Sequence, residues 1–389
     1  MRVSYGVWPH TGSRRSPAKG ARSVEWHSIH VYYHADKDAL VLGGVRPLFA
    51  TLSAHVAGAA YIPHWKRGPH LRLHLRCGTP VLDGVVWPAV HEIIGGFLAE
   101  HPSKAALEPE QHLPMHRRLA ELEHESEPLL PWHPDNSIRP EPYDRRIRVL
   151  GSEDAADLLA DFYSDTTPLA FDMTEALREG GRRLAVAFDV MIATAHALSG
   201  AGIEAGFISF RSHAEAFLAA WPEAEGLRTA WEEHYHRNSA QLAARVRAII
   251  ATLDGEQKVV PFVDEWVAAL SPFRRRGTSL IRDGRLSMVP PPYRGFDPMA
   301  ELAQVSSFHK HLVDPAWQEI RSADWFNVYR LMLNYAYLHL TRLGVTPVER
   351  FLLCHLAANA VEECYGKSAT ELIADPGPNA LLDPSDLPS

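Results

Sequence analysis

The chain has 389 residues, 46% of them hydrophobic and 22% charged, with a formal net charge of −8. It is long enough for one large domain or two closely packed ones, and the composition argues against large-scale disorder and against a general nucleic-acid binder, whose footprint is a basic face. No stretch approaches the roughly 18 consecutive apolar residues of a membrane span and the N-terminus lacks a signal peptide's apolar core, so a cytoplasmic protein with no membrane partner is expected.

In chain order, residues 1–24 mix Gly, Ser, Pro and basic side chains without periodicity and read as a flexible basic tail. Order is expected from Trp26, where Ile29, Val31 and Tyr33 alternate with His30 and Tyr32 at the period of a half-buried strand. An apolar segment opens at Ala39, and 48–60 reads as a helix. Leu71, Leu73 and Leu75 then alternate with Arg72, His74 and Arg76, which places the three polar side chains on one face of a second strand. Segments 90–101 and 107–126 read as helices. The stretch 128–142 carries five prolines, too many missing donors for regular structure, and is read as a linker.

Beyond it the pattern becomes helical, over 155–163, 182–198, 213–221, 225–253, 259–270, 299–312, 322–343 and 347–363. Asp324 and Thr346 are expected N-caps, the latter ahead of Pro347 at the first helical position, and Gly200 and Gly344 suit left-handed C-terminal positions. Ser212 with Glu215 reads as a capping box. Residues 376–389, rich in Pro and Asp, read as a disordered tail. The expected fold is α+β: an N-terminal sheet-containing part over 25–127, then a larger, mainly helical part over 143–375.

Common catalytic signatures are missing: there is no Gly-x-Gly-x-x-Gly, no Walker loop and no His-Glu-x-x-His. Cys77, Cys354 and Cys364 lack Cys-x-x-Cys spacing and read as small buried hydrophobes. His27 and His30 fall on opposite faces of the first strand, so no metal site is assigned to them or to His34. Trp132, Trp221, Trp231, Trp266, Trp317 and Trp325 read as core, the alternative being faces on which a ligand's aromatic ring stacks. Around Ser287-Met288-Val289-Pro290-Pro291-Pro292-Tyr293-Arg294, three prolines hold the backbone near polyproline geometry. That is either a stiff surface loop or a device presenting two hydroxyls at a fixed separation. Arg274, Arg275 and Arg276 form either a solvated run or a basic docking point.

The run Gly68-Pro69-His70-Leu71-Arg72-Leu73-His74, with Arg330-Leu331-Met332-Leu333-Asn334 and Leu343-Gly344-Val345-Thr346-Pro347 followed by Glu349-Arg350, resembles the glutamate-elimination module of class I lanthipeptide dehydratases and their thiopeptide relatives. Ser209-Phe210-Arg211-Ser212-His213 belongs to the same resemblance, which spans most of 25–366. Eliminating members carry a second arginine where this chain has His74, and a histidine where it has Arg330. That pattern resembles the thiopeptide pyridine synthases, which close a macrocycle by a formal aza-[4+2] reaction.

The resemblance implies catalytic roles for Ser287 and Tyr293, substrate-binding roles for Arg72, His74 and Arg330, and a leader-bearing modified precursor peptide as partner, with other enzymes of the pathway nearby. An acidic leader would meet Arg274, Arg275 and Arg276. The implied scheme calls for no cofactor. An arginine stays protonated and cannot accept a proton from a substrate carbon, so Arg330 argues against glutamate elimination unless His309 or His74 has taken the role. The alternatives are the eliminating partner of a split dehydratase, and a leader-recognition scaffold without chemistry. Asn334 and Tyr335 are read as packing residues.

Overall fold

The computed structural model describes residues 24–126, 128–220, 224–289 and 298–374. Tyr293, Trp221 and both terminal tails lie outside the described residues. The chain forms two compact units. One comprises residues up to Arg146 together with Leu159–Gly180, the other Ile147–Leu158 and the chain from Gly181 onwards.

The first unit is built on a four-stranded antiparallel sheet, β1 Glu25–Tyr32, β2 Gly58–His64, β3 His70–Cys77 and β4 Ser137–Glu141, in the order β2-β3-β1-β4. Side chains alternate across each strand, so Ile29, Val31, Ala59, Tyr61, Leu71, Leu73 and Leu75 share one face. That face is the core, covered by Val41, Val45, Leu48, Phe49, Val86, Val90, Ile94, Ala170 and Phe171. Phe171 stacks on Tyr61 with centroids 5.4 Å apart. Burying each of these larger side chains stabilises the unit by about 1.5–3 kcal/mol before entropy is counted.

Two expectations fail here. The expected helix over 48–60 ends at Leu52, and Gly58–His64 is a strand, because pairing with β3 outweighs the helical pattern of a short alanine-rich run. The stretch 128–142 holds β4: Pro140 is tolerated because β4 is an edge strand, where a missing donor costs no ladder bond on the open side. The continuous helical run Thr79–Glu100 is long and apolar enough to cross a membrane by length and composition. Its Val86, Val90, Ile94 and Phe97 are buried in the core at helical spacing, while Asp83, His91 and Glu92 are exposed, the pattern of a core helix.

The second unit is a helical assembly around Arg183–Ala197, Asp324–Arg342 and Pro347–Tyr365. Against these pack Ile208–Ala220, the 30-residue Ala224–Leu253, and Val263–Arg282. Gly277 permits the close approach of Val263–Arg282 to Asp324–Arg342, since a Cβ there would lie 2.6 Å from Leu331 Cδ2.

Thr346 caps Pro347–Tyr365 as expected, and Glu349 completes a capping box; Gly344 has φ +81°. Ser212 does not cap: the helix starts at Ile208, so Ser212 is interior, and Glu215 instead pairs with Arg228 at 2.7 Å. Asp324 is the first helical residue after an Ala323 cap. The helix expected to end at 270 runs through Pro272 to Arg282, which places Arg274, Arg275 and Arg276 on it. The expected helix over 299–312 breaks at Ser306, whose side chain caps the next short helix.

Candidate functional site

The sheet's other face, in the first unit, gathers what the alternation of β3 anticipated. Cross-strand register sets Tyr32 opposite His70 and His70 opposite His64, His30 opposite Arg72, and Ser28 opposite His74. His70 is 1% exposed and His30 8%, whereas Arg72 and His74 are partly exposed. The face is therefore a half-buried polar row and not an open solvated one.

Burial dominates its electrostatics by disfavouring charged imidazoles. Desolvation, reinforced by neighbouring imidazoles and Arg72, holds His30 down to about 2. The same cause holds His70 and His74 down to about 3, and His64 well below its ordinary value. Burial pushes the Tyr32 phenol up to about 12. At neutral pH the imidazoles and the phenol of the row are neutral donors and acceptors around the Arg72 guanidinium.

Arg72 makes no ion pair among the described residues. Its hydrogen bond runs from Nε to His70 Nε2, at 3.3 Å. The nearby Glu125 is paired with Lys66 at 3.2 Å, and Glu123 accepts from Trp65 Nε1 at 3.1 Å. His74 is met edge-on by Tyr143 at 4.8 Å. A fork of donors without a carboxylate partner can hold a carbonyl or a carboxylate of a ligand.

In the second unit, Arg330 is likewise half-buried without a carboxylate partner among the described residues. Its Nη1 donates to Asn327 Oδ1 at 3.2 Å and its Nη2 to the Met288 carbonyl at 3.5 Å, so the structure brings Arg330 to the residue next to Ser287. Ser287 is exposed, and its Oγ both donates to the Val289 carbonyl and accepts from the Val289 N–H, each at 3.1 Å. The hydroxyl is thus oriented by its own loop.

Arg274 and Arg275 line a concavity of about 290 Å³ with Thr278, Arg282, Asp324, Trp325 and Val328; Arg276 instead lies over the Phe273 ring at 5.6 Å. Trp231, Trp266 and Trp317 are buried as expected, while Trp132 and Trp325 are only partly so. Tyr335 is buried, but Asn334 is exposed and packs little.

His309, a substitute base in the eliminating reading, is fully buried. Its Nδ1 meets Ser306 Oγ at 2.7 Å and its Nε2 meets Ser212 Oγ at 3.1 Å. With both nitrogens engaged inside the helical core, it is a structural tie.

The chain joins a small antiparallel sheet to a larger helical unit, and its half-buried Arg72 and Arg330 have no carboxylate partner among the described residues. The family model described as "Lantibiotic biosynthesis dehydratase C-term" matches residues 26–361, and the chain belongs to that family. Among solved structures it is similar to the pyridine synthase TbtD from thiomuracin biosynthesis, with a TM-score of 0.73 and 39% identity over 88% of this chain and 99% of that one. It shares its fold with TsrL, with a TM-score of 0.69 and 22% identity over 90% of this chain and 98% of that one. The tRNA dependent lantibiotic dehydratase MibB from Microbispora sp. 107891 aligns with 92% of this chain and 30% of its own, at 15% identity and a TM-score of 0.48. Comparison with curated protein sequences gives no match. The resemblance stated on the motifs therefore holds.

Sequence reasoning missed His30, His64, His70 and Tyr32 as neighbours of Arg72. The alternation of β1 contained the signal for His30 and Tyr32. His64 was lost when the segment before it was read as a helix.

Proposed function

We propose that this chain is a thiopeptide pyridine synthase. The observation that carries the reading is the 39% identity with TbtD along nearly the whole of both chains. The substrate is a leader-bearing linear peptide with thiazoles and two dehydroalanines. One dehydroalanine, its adjoining amide shifted to the iminol form, acts as a 2-azadiene and the other as dienophile. Loss of water and expulsion of the leader as an amide then give the aromatic pyridine and the macrocycle.

Holding both ends in a near-attack pose supplies up to roughly 7–11 kcal/mol in favourable intramolecular cases, which leaves the protein mainly proton traffic and orientation. Tyr293 donates to the developing charge and Ser287 fixes the reacting amide. Arg72, His74 and Arg330 bind backbone carbonyls of the precursor. Arg274 and Arg275, with Arg276 beside them, receive an acidic segment of the leader. The competing glutamate elimination needs a base, and the engagement of both His309 nitrogens supports the pyridine reading against it.

The test is incubation of the purified protein with a linear dehydroalanine-containing thiazolyl precursor, followed by mass. A macrocycle with a released leader amide is expected. Glutamate loss from a glutamylated peptide, without macrocycle, would replace this reading with elimination, and leader binding without any conversion would leave a scaffold. Tyr293→Phe is expected to slow turnover more than Ser287→Ala, each with leader binding retained; undiminished macrocycle yield in both variants removes the loop from the chemistry.

A further inference from the structure

We infer that His70 is a positioning residue for Arg72: a neutral imidazole, locked in one tautomer, that orients the guanidinium through Nε and leaves both terminal nitrogens for the substrate. The inference rests on the substrate-binding role proposed for Arg72. The arrangement is anchored at the turn between β2 and β3. His70 Nδ1 lies 2.8 Å from the Gly68 carbonyl, which can only accept, so the proton sits on Nδ1. The lone pair is then on Nε2, which accepts from Arg72 Nε at 3.3 Å.

Gly68 itself has φ +109°, a backbone shape that places its carbonyl and that other residues rarely adopt. The ring is fixed from several sides, with His30 stacked at 4.6 Å and 23°, Tyr32 at 4.6 Å and His64 at 5.4 Å. It has no freedom to turn its other edge to Arg72.

The choice of an imidazole matters. A carboxylate at this place would engage the guanidinium bidentately and take both the charge and the fork. A neutral acceptor on Nε directs the fork while the positive charge remains available. Arg72 has no other hydrogen bond or ion pair among the described residues, and its terminal nitrogens are the groups that this arrangement leaves over. Burial keeps the imidazole neutral across the physiological range.

Two measurements test this. In the first, which needs no substrate, ¹⁵N-histidine spectra identify the His70 signal by its loss in His70→Gln. A neutral Nδ1–H tautomer unchanged between pH 6 and 8 is expected; an Nε2–H tautomer or a cationic ring overturns the inference.

In the second, kcat/KM for the dehydroalanine-containing thiazolyl precursor is compared for the wild type, His70→Leu, His70→Gln, Arg72→Lys and the Leu/Lys double variant, with folding checked by circular dichroism. A hydrogen bond to a charged group contributes about 1.5–3 kcal/mol, so His70→Leu is expected to lower kcat/KM roughly tenfold to a hundredfold. His70→Gln, which retains an acceptor, is expected to recover part of that loss. Lysine has no Nε, so in the Arg72→Lys background the His70 change is expected to cost nothing further.

Equal losses in both backgrounds would make His70 merely structural, and an Arg72→Lys variant as active as the wild type would sink the assignment to Arg72. A wild type that forms no macrocycle would overturn the pyridine reading while the tautomer measurement still decides the His70–Arg72 contact.

Discussion

Replacing His309 by leucine separates a structural tie from a catalyst. The imidazole is 0% exposed and joins Ser212 Oγ to Ser306 Oγ at 3.1 and 2.7 Å. Leucine fills a similar volume but offers neither donor nor acceptor, so the buried Ser306 hydroxyl and the half-buried Ser212 hydroxyl both lose their side-chain partner. Stranding a buried polar group costs about 1–3 kcal/mol. Ser306 still accepts from the His309 backbone N–H at 3.4 Å, and a mid-helix serine can turn back to its own helix, which places each loss near the lower bound. The sum is about 2 kcal/mol, equivalent to a fall of roughly 4–8 °C in Tm for a unit of this size. The assay is thermal and urea denaturation alongside turnover per folded molecule at a temperature where the variant is native. Full stability with lost turnover would refute the reasoning and put His309 in the chemistry.

Acid should destabilise the first unit. His30, His70 and His74 titrate near 2, 3 and 3 when folded against about 6.5 unfolded, so the unfolded chain takes protons first. Their contribution is complete above about pH 6.5 and is lost as pH falls towards their folded values, at up to roughly 1.4 kcal/mol per pH unit for each group; urea midpoints that do not move between pH 7 and 5 would contradict this. Gly206→Ala places a Cβ 2.7 Å from the Ala195 carbonyl oxygen, a backbone atom that cannot turn aside, and should cost about 1–3 kcal/mol in urea unfolding. Replacing Arg274 and Arg275 by glutamine should weaken binding of an acidic leader and flatten its salt dependence, measured by fluorescence anisotropy at two ionic strengths. Equal affinity in both proteins would separate the concavity from the leader.

Local rules were legible where one short segment decides the outcome. The alternation of Leu71, Leu73 and Leu75 with Arg72, His74 and Arg76 fixed the two faces of β3, because side chains of a strand can only alternate. Gly344, Thr346 and Pro347 announced a turn and a capped helix through chemistry contained within four residues. Motif order and spacing were enough to place the chain in its family.

What the sequence determined by itself was therefore strand period, helix starts of strong capping chemistry, and kinship. Only tertiary structure decided that Gly58–His64 is a strand and that Ser137–Glu141, prolines notwithstanding, is an edge. It also decided that Ser212 lies inside a helix bound to His309, and that Arg72 stands among neutral imidazoles with no ion pair among the described residues. The reason is common to these cases. Register, burial and the identity of a cross-strand neighbour depend on residues far apart in sequence, and desolvation, which sets the charge of His30, His70 and His74, exists only once those distant residues have closed over them.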